Sequence, residues 1–234
     1  MMTHIGDDLD KFYSIPHLNK PVTFFGSARL APNSPYYEQA KKLAFMCVQA
    51  GFSVVTGGGG GIMQAANEGA FKAAELLDIN LNAKNLSENS QQNSPQKPSP
   101  KDLKSIGFNI FLPFEQKGND FLGYNITFKS LAIRKMALVE KSLAFVIFPG
   151  GFGTLDEFVE VLTLKQLGFK DVPIFVVGRE FWRGFDEFIK SSLLSLNVIS
   201  KGDELKYEIT DDLEFIVKKL KEEYENSSRN EWRG

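Results

Sequence analysis

Leu143-Ala144-Phe145-Val146-Ile147-Phe148 is an unbroken apolar run with no polar side to turn toward water. Such a run suits a strand covered on both faces, as in a parallel sheet with helices above and below it. It empties directly into Pro149-Gly150-Gly151-Phe152-Gly153-Thr154, and a helical pattern follows to about Leu167. The same rhythm occurs earlier. Pro21 to Gly26 reads as a buried strand running into the turn Gly26-Ser27-Ala28-Arg29, and Ser34-Pro35 then opens a helix that stops near Gly51. Phe52 to Thr56 is a second strand, which meets the glycines Gly57 to Gly61 before a helix from Ile62 to about Leu77. Strands also fit Ile106 to Leu112 and Val172 to Val177, and Glu208-Ile209-Thr210 leads through Asp211 toward the last helix. Helices fit Phe128 to Lys141, Phe181 to Leu194 and Leu213 to Tyr224. Strands alternating with helices predict an α/β, Rossmann-like fold, an open and mostly parallel sheet with helices on both faces.

The domain reading follows from this rhythm. Residues 1–20 read as an irregular N-terminal arm, residues 21–225 as a single domain, and residues 226–234 as a tail. Residues 80–104 are dominated by Asn, Gln, Ser, Lys and Pro. They lack the apolar surface that offsets ordering entropy and are expected to form a disordered insertion.

Composition excludes several kinds of chemistry. The formal net charge is −2, from 27 basic and 29 acidic residues, which gives no global attraction to nucleic acid or to an acidic membrane. No apolar run approaches a bilayer-spanning length, and Met1 to Asp10 is too polar for a signal peptide, so a cytoplasmic protein is expected. The one cysteine, Cys47, reads as a buried hydrophobe. The two histidines, His4 and His17, precede the first strand, which leaves none for a Ser-His-Asp triad or a zinc site of the H-E-x-x-H type. No metal is called for.

Ligands of open parallel sheets bind beyond the carboxyl ends of the strands, and both glycine clusters follow strands directly. Glycine lets backbone N–H groups converge on an anion, and the positive end of the following helix adds to the attraction. Neither cluster precedes G-K-[ST], and Ile62 stands where a dinucleotide fingerprint needs its third glycine. Thr154 and Glu157 match the spacing of a capping box, which predicts reciprocal hydrogen bonds at the helix start.

The residues from Pro149 to Glu157 resemble the P-G-G-x-G-T-x-x-E signature of the Lonely Guy (LOG) proteins, cytokinin-activating nucleoside 5′-monophosphate phosphoribohydrolases often mislabelled lysine decarboxylases. Gly26 to Arg29, Thr56 to Met63, Leu112 to Gln116, Ile133 to Met136 and Val161 to Gly168 are similar to further family segments. The resemblance implies a homodimer or larger assembly, no cofactor, and hydrolysis of AMP or an N6-modified adenosine monophosphate to free base and ribose 5-phosphate. Carried over by position, Gly150, Gly151, Gly153 and Thr154 hold the phosphate, and Glu157 and Arg134 are the catalytic pair. Lys135, Glu115 and Thr163 line the substrate site, with Ser27 and Gly59 near the phosphate or base.

In that chemistry a carboxylate stabilises the positive charge that develops on the ribose, which is the role expected of Glu157. Arg134 is too basic for a proton donor, and its expected role is to position substrate or stabilise negative charge. A second reading stays open: a module of the same fold that binds a nucleotide without cleaving it. Lysine decarboxylation has no support in the residues, since nothing marks a lysine for pyridoxal phosphate.

Overall fold

A computed structural model describes residues 3–84, 98–112 and 117–230. Seven strands form one sheet: β1 (Pro21–Phe25), β2 (Ser53–Thr56), β3 (Ser105–Ile110), β4 (Tyr124–Phe128), β5 (Ala144–Ile147), β6 (Ile174–Val176) and β7 (Glu208–Ile209). Their order is β4-β3-β2-β1-β5-β6-β7, and every pairing is parallel. The chain lays β1 to β4 outward in one direction, then returns to place β5 on the other side of β1. The carboxyl ends of β1 and β5 thus flank the switch point where such a sheet leaves a crevice.

Helices cover both faces. One layer contains α2 (Pro35–Gln49), α3 (Ile62–Lys84) and α7 (Leu213–Asn230); the other contains α1 (Thr3–Ser14), α4 (Leu131–Glu140), α5 (Phe152–Gln166) and α6 (Arg179–Phe188). Side chains alternate along each strand, so the apolar run around β5 is divided. Ala144, Val146 and Phe148 pack in the first layer, and Phe145 and Ile147 in the second. With a hydrophobic layer on each face, no position of that strand can be polar without burying an unpaired group. Cys47 is fully buried in the first layer, as its apolar surroundings predict. Among the described residues, no helix is long and apolar enough to cross a membrane.

Some local expectations are corrected. Residues 3–14 are not irregular but form α1, whose Phe12 packs in the core together with Ile15 and Leu18. Tyr124–Phe128, read as loop and helix start, is the edge strand β4; its exposed side leaves it without the strong apolar signature of a central strand. The flanks of the polar insertion are ordered. Helix α3 continues to Lys84, and Ser99 and Asp102 bond reciprocally ahead of a 3₁₀ turn at Asp102–Lys104. The rest of that insertion, residues 85–97, lies outside the described residues, as do residues 231–234 of the expected tail, while α7 takes up 226–230.

Helix α1 is fastened by one buried carboxylate. Asp8 accepts the backbone N–H groups of Lys129 (2.7 Å) and Ser130 (2.6 Å) and an ion pair from Lys11 (3.3 Å). It therefore places negative charge at the positive end of α4 and satisfies donors just ahead of that helix. Burial pushes the Asp8 carboxyl upward, but the hydrogen bonds outweigh it and its pKa lies below the ordinary 3.8. A depressed carboxylate stabilises the fold above its unfolded pKa and loses that contribution as pH falls through its folded value. Asp8→Asn should lower stability at pH 7 by about 2 kcal/mol. In thermal melts, the gap between the variant and the parent should narrow once the pH drops below 3.8.

Candidate functional site at the carboxyl edge

The exits of β1, β2 and β5 are locked together by backbone. Ser27 donates its N–H to the Pro149 carbonyl (3.0 Å) and accepts from the Ile62 N–H (2.9 Å). One residue of the first turn is thereby shared between both glycine turns. The fit leaves no space for side chains. A Cβ on Gly61, whose φ is +60°, would lie 2.2 Å from the Ser27 carbonyl oxygen, and one on Gly26 would lie 2.6 Å from the Ile62 side chain. Gly61 thus has two reasons to be glycine: its conformation and its contact.

The helix after the second glycine turn begins earlier than a capping box requires. Gly151 is the N-cap of α5, no side chain caps it, and the first helical bond runs from Leu155 N–H to the Gly151 carbonyl (3.0 Å). Thr154 and Glu157 therefore do not cap the helix reciprocally. Gly151 takes the cap position with backbone alone, and Thr154 falls inside the first turn. The N–H groups of Phe152, Gly153 and Thr154 have no intrahelical acceptor and stand at the positive end of a 15-residue helix. This is the arrangement that receives an anion. Gly150 lies under Thr154, with the threonine hydroxyl where a Cβ would project.

Glu157, one turn further, is instead paired with Arg134. The Arg134 Nη1 to Glu157 Oε1 distance is 2.8 Å, and the side chains are 10% and 13% exposed. Arg134 also donates Nε to the Phe108 carbonyl within β3 (2.9 Å). Its second terminal nitrogen rests against Gly57, where a Cβ would come within 2.0 Å. A planar, multiply bonded guanidinium so held has little freedom to move. Burial pushes the Glu157 carboxyl above the ordinary glutamate value of 4.5, and the charge and hydrogen bond of Arg134 offset this only in part.

These groups enclose a cleft of about 600 Å³, lined at its core by Ser27, Arg134, Gly151, Gly153, Thr154 and Glu157. Arg29, Met63 and Phe152 also line it, and Phe152 is 91% exposed. Sequence reasoning passed over these three. Arg29 sits in a recognised turn, but nothing in its spacing signals a free charge. Gly59 supports the wall from behind, through contact with Met63 and a hydrogen bond from Asn119 (3.0 Å) to its carbonyl. Two expected residues fall elsewhere in this chain. Lys135 pairs with Asp156 (2.8 Å) and Glu160 (3.1 Å). Thr163 lines a separate groove of about 480 Å³ on the outer side of α5, beside Leu155, Val159 and Leu164. Glu115 lies outside the described residues.

Fold and cleft together define a doubly wound parallel α/β protein with an anion-receptive turn at its switch point. A family described as "Possible lysine decarboxylase" matches residues 63–220, and the chain belongs to that family, the one that includes the LOG proteins. Similar proteins include the Arabidopsis thaliana cytokinin riboside 5′-monophosphate phosphoribohydrolase LOG2, 25% identical over 65% of this chain and 60% of that protein. Another is LOG1 of the same plant, 45% identical over 20% of this chain and 22% of that protein. The chain thus aligns with less than two thirds of the length of these curated relatives. Among solved structures, a molybdenum cofactor binding protein from Rippkaea orientalis is similar at 18% identity (TM-score 0.52; 86% of this chain, 94% of that one). The molybdenum cofactor carrier protein of Chlamydomonas reinhardtii is similar at 17% identity (TM-score 0.51; 87% and 98%). These structural likenesses show the fold. No lysine is among the described residues that line the cleft.

Two glycines separate structural from ligand-facing roles. Gly61→Ala should destabilise the fold by about 2 kcal/mol or more, because its Cβ meets backbone and its φ is positive. Gly153→Ala, with nothing within 4 Å of its Cβ, should leave the melting temperature equal or higher while weakening anion binding at the turn. Thermal melts paired with phosphate titration distinguish the two.

Proposed function

We propose that the chain is a nucleoside 5′-monophosphate phosphoribohydrolase that cleaves the N-glycosidic bond of AMP or of an N6-modified adenosine monophosphate. The observation that carries this reading is the pairing of two features one helical turn apart: unsatisfied N–H donors at the start of α5, and the desolvated Glu157 held by Arg134. The phosphate seated on Phe152–Thr154 is a remote handle that orients the sugar. The bond from the anomeric carbon to the base breaks, and its electron pair leaves with the base. The Glu157 carboxylate stabilises the positive charge on the ribose and takes a proton from the water that forms the new carbon–oxygen bond. Solvent supplies the proton to the departing base, and the products are free base and ribose 5-phosphate. Arg134 acts as the positioning residue for Glu157. Membership in the LOG family and the resemblance of residues 149–157 to its signature support the assignment.

A homodimer or larger assembly accords with the surface of α5. Val159, Leu167 and Phe169 are exposed along its outer side and beyond its end, and the apolar groove there also holds Thr163. Lys135 and Thr163 would then serve at a contact between copies.

The second reading is a carrier that binds a phosphorylated ligand and leaves it intact. It draws on the likeness to the molybdenum cofactor binding and carrier proteins. An AMP incubation with chromatography of adenine and ribose 5-phosphate decides between them. Hydrolysis is expected, and a stable bound nucleotide without products would favour the carrier. Glu157→Gln preserves size and can still accept from Arg134. It should reduce turnover by about 100-fold or more, far beyond the modest fall in melting temperature expected when buried Arg134 keeps a hydrogen bond but loses its counter-charge. The acid limb of the pH–rate profile should have its midpoint above 4.5, since activity needs the ionised carboxylate and its pKa is raised.

A further inference from the structure

The charges around the cleft do not cancel. Its described lining includes two arginines and one glutamate. Arg134 is neutralised by Glu157 at 2.8 Å, and the next residue on α4, Lys135, is neutralised by Asp156 and Glu160. Arg29 is exposed on the cleft wall and forms no ion pair among the described residues. Its backbone is nonetheless held in place. The Arg29 N–H donates to Ser27 Oγ (3.1 Å), and the Ser27 backbone is bonded to Pro149 and Ile62. A long, flexible guanidinium therefore projects from a fixed base on the turn that touches the Pro149–Thr154 segment. The N–H donors of α5 are neutral groups, so a doubly charged phosphate seated on them keeps most of its charge unless a cation joins them. Arg29 is the unpaired cation among the described residues of the cleft, and guanidinium meets phosphate oxygens in bidentate geometry.

We propose that Arg29 is the charge-bearing phosphate ligand of this cleft, and that it sets the preference for 5′-phosphorylated ligands over their unphosphorylated counterparts. The inference rests on the cleft taking a nucleoside monophosphate, but its electrostatic core requires only a phosphate monoester. Glu157 and Arg134 act at the sugar end of the ligand, whereas Arg29 acts at the other end. Its removal should therefore weaken binding while sparing the chemical step, a pattern opposite to that of Glu157.

The test compares the full chain with Arg29→Gln and Arg29→Lys by calorimetric titration with AMP, ribose 5-phosphate and adenosine, alongside steady-state kinetics on AMP. Arg29→Gln should weaken AMP and ribose 5-phosphate about 10- to 100-fold, the range for losing a charge-assisted contact, and leave adenosine unchanged. KM should rise by a similar factor with kcat within about twofold, because the lost contact is made equally in ground and transition states. Arg29→Lys should recover part of the loss, since the charge returns without the fork. The side chain is solvent-exposed, so all three proteins should melt together. Unchanged phosphate affinity in Arg29→Gln, with AMP still hydrolysed, overturns the Arg29 assignment and leaves the hydrolase reading standing. An equal loss for adenosine also overturns it. If the parent protein binds AMP and ribose 5-phosphate but releases no adenine, the hydrolase reading fails, and the loss in Arg29→Gln still decides the role of Arg29. Failure of the parent to bind either phosphate ester overturns both.

Discussion

The cleft depends on two backbone hydrogen bonds made by Ser27. One reaches the turn after β5 and the other the start of α3, so three strand exits are held at one separation. Because the contacts are main chain to main chain, they do not need the Ser27 side chain; the close approach excludes a Cβ at Gly61 against backbone, and at Gly26 against the Ile62 side chain. Side chains then complete what the backbone begins. Arg134 by itself touches β3 through Phe108, the turn after β2 through Gly57, and α5 through Glu157. A residue in contact with that many elements acts first as a fastener. Its charge serves to keep the glutamate in place.

Electrostatics divide the cleft into two ends. At one end the Arg134–Glu157 pair is internally neutral, and burial raises the carboxyl pKa. At the other end the start of α5 and Arg29 are left with unanswered positive character. The proposed nucleoside monophosphate matches that polarity, with its anion assigned to the turn and its glycosidic bond to the carboxylate end. On the proposed reading, binding and chemistry act at separate ends of the cleft.

Supports for the cleft come from parts of the chain that carry no motif. Asn119 donates its backbone N–H to Gly58 and its side chain to Gly59 and Asn67, and Asn67 in turn binds Thr56 and Ser105. This polar network pins the five-glycine turn to the loop before β4. From sequence, these asparagines look like ordinary loop and helix residues, because the signal of each is its partner, and the partners are distant along the chain. The same holds for Asp8, whose acceptor role depends on N–H groups more than a hundred positions away.

What the sequence determined by itself was local and periodic. An apolar run with no polar face required a strand covered on both sides, glycine clusters after strands required tight turns, and Ser34-Pro35 required a helix start, which α2 obeys. Those patterns carry α/β architecture because each depends on neighbouring residues alone. The signature around Pro149 to Glu157 supplies five of the eleven described residues that line the cleft: Gly151, Phe152, Gly153, Thr154 and Glu157. Tertiary structure decided the rest. It moved Thr154 and Glu157 out of the expected capping box, since Gly151 caps the helix and Arg134, contributed by another helix, claims the carboxylate. It turned the supposed N-terminal arm into α1 by supplying Asp8 with donors, and made an edge strand of Tyr124–Phe128 by offering β3 as a partner. Among the described residues, it left Arg29 without an ion pair while pairing Lys135. The presence of a charged residue is written in the chain, but whether its charge is neutralised depends on which side chains the fold brings within a few ångströms.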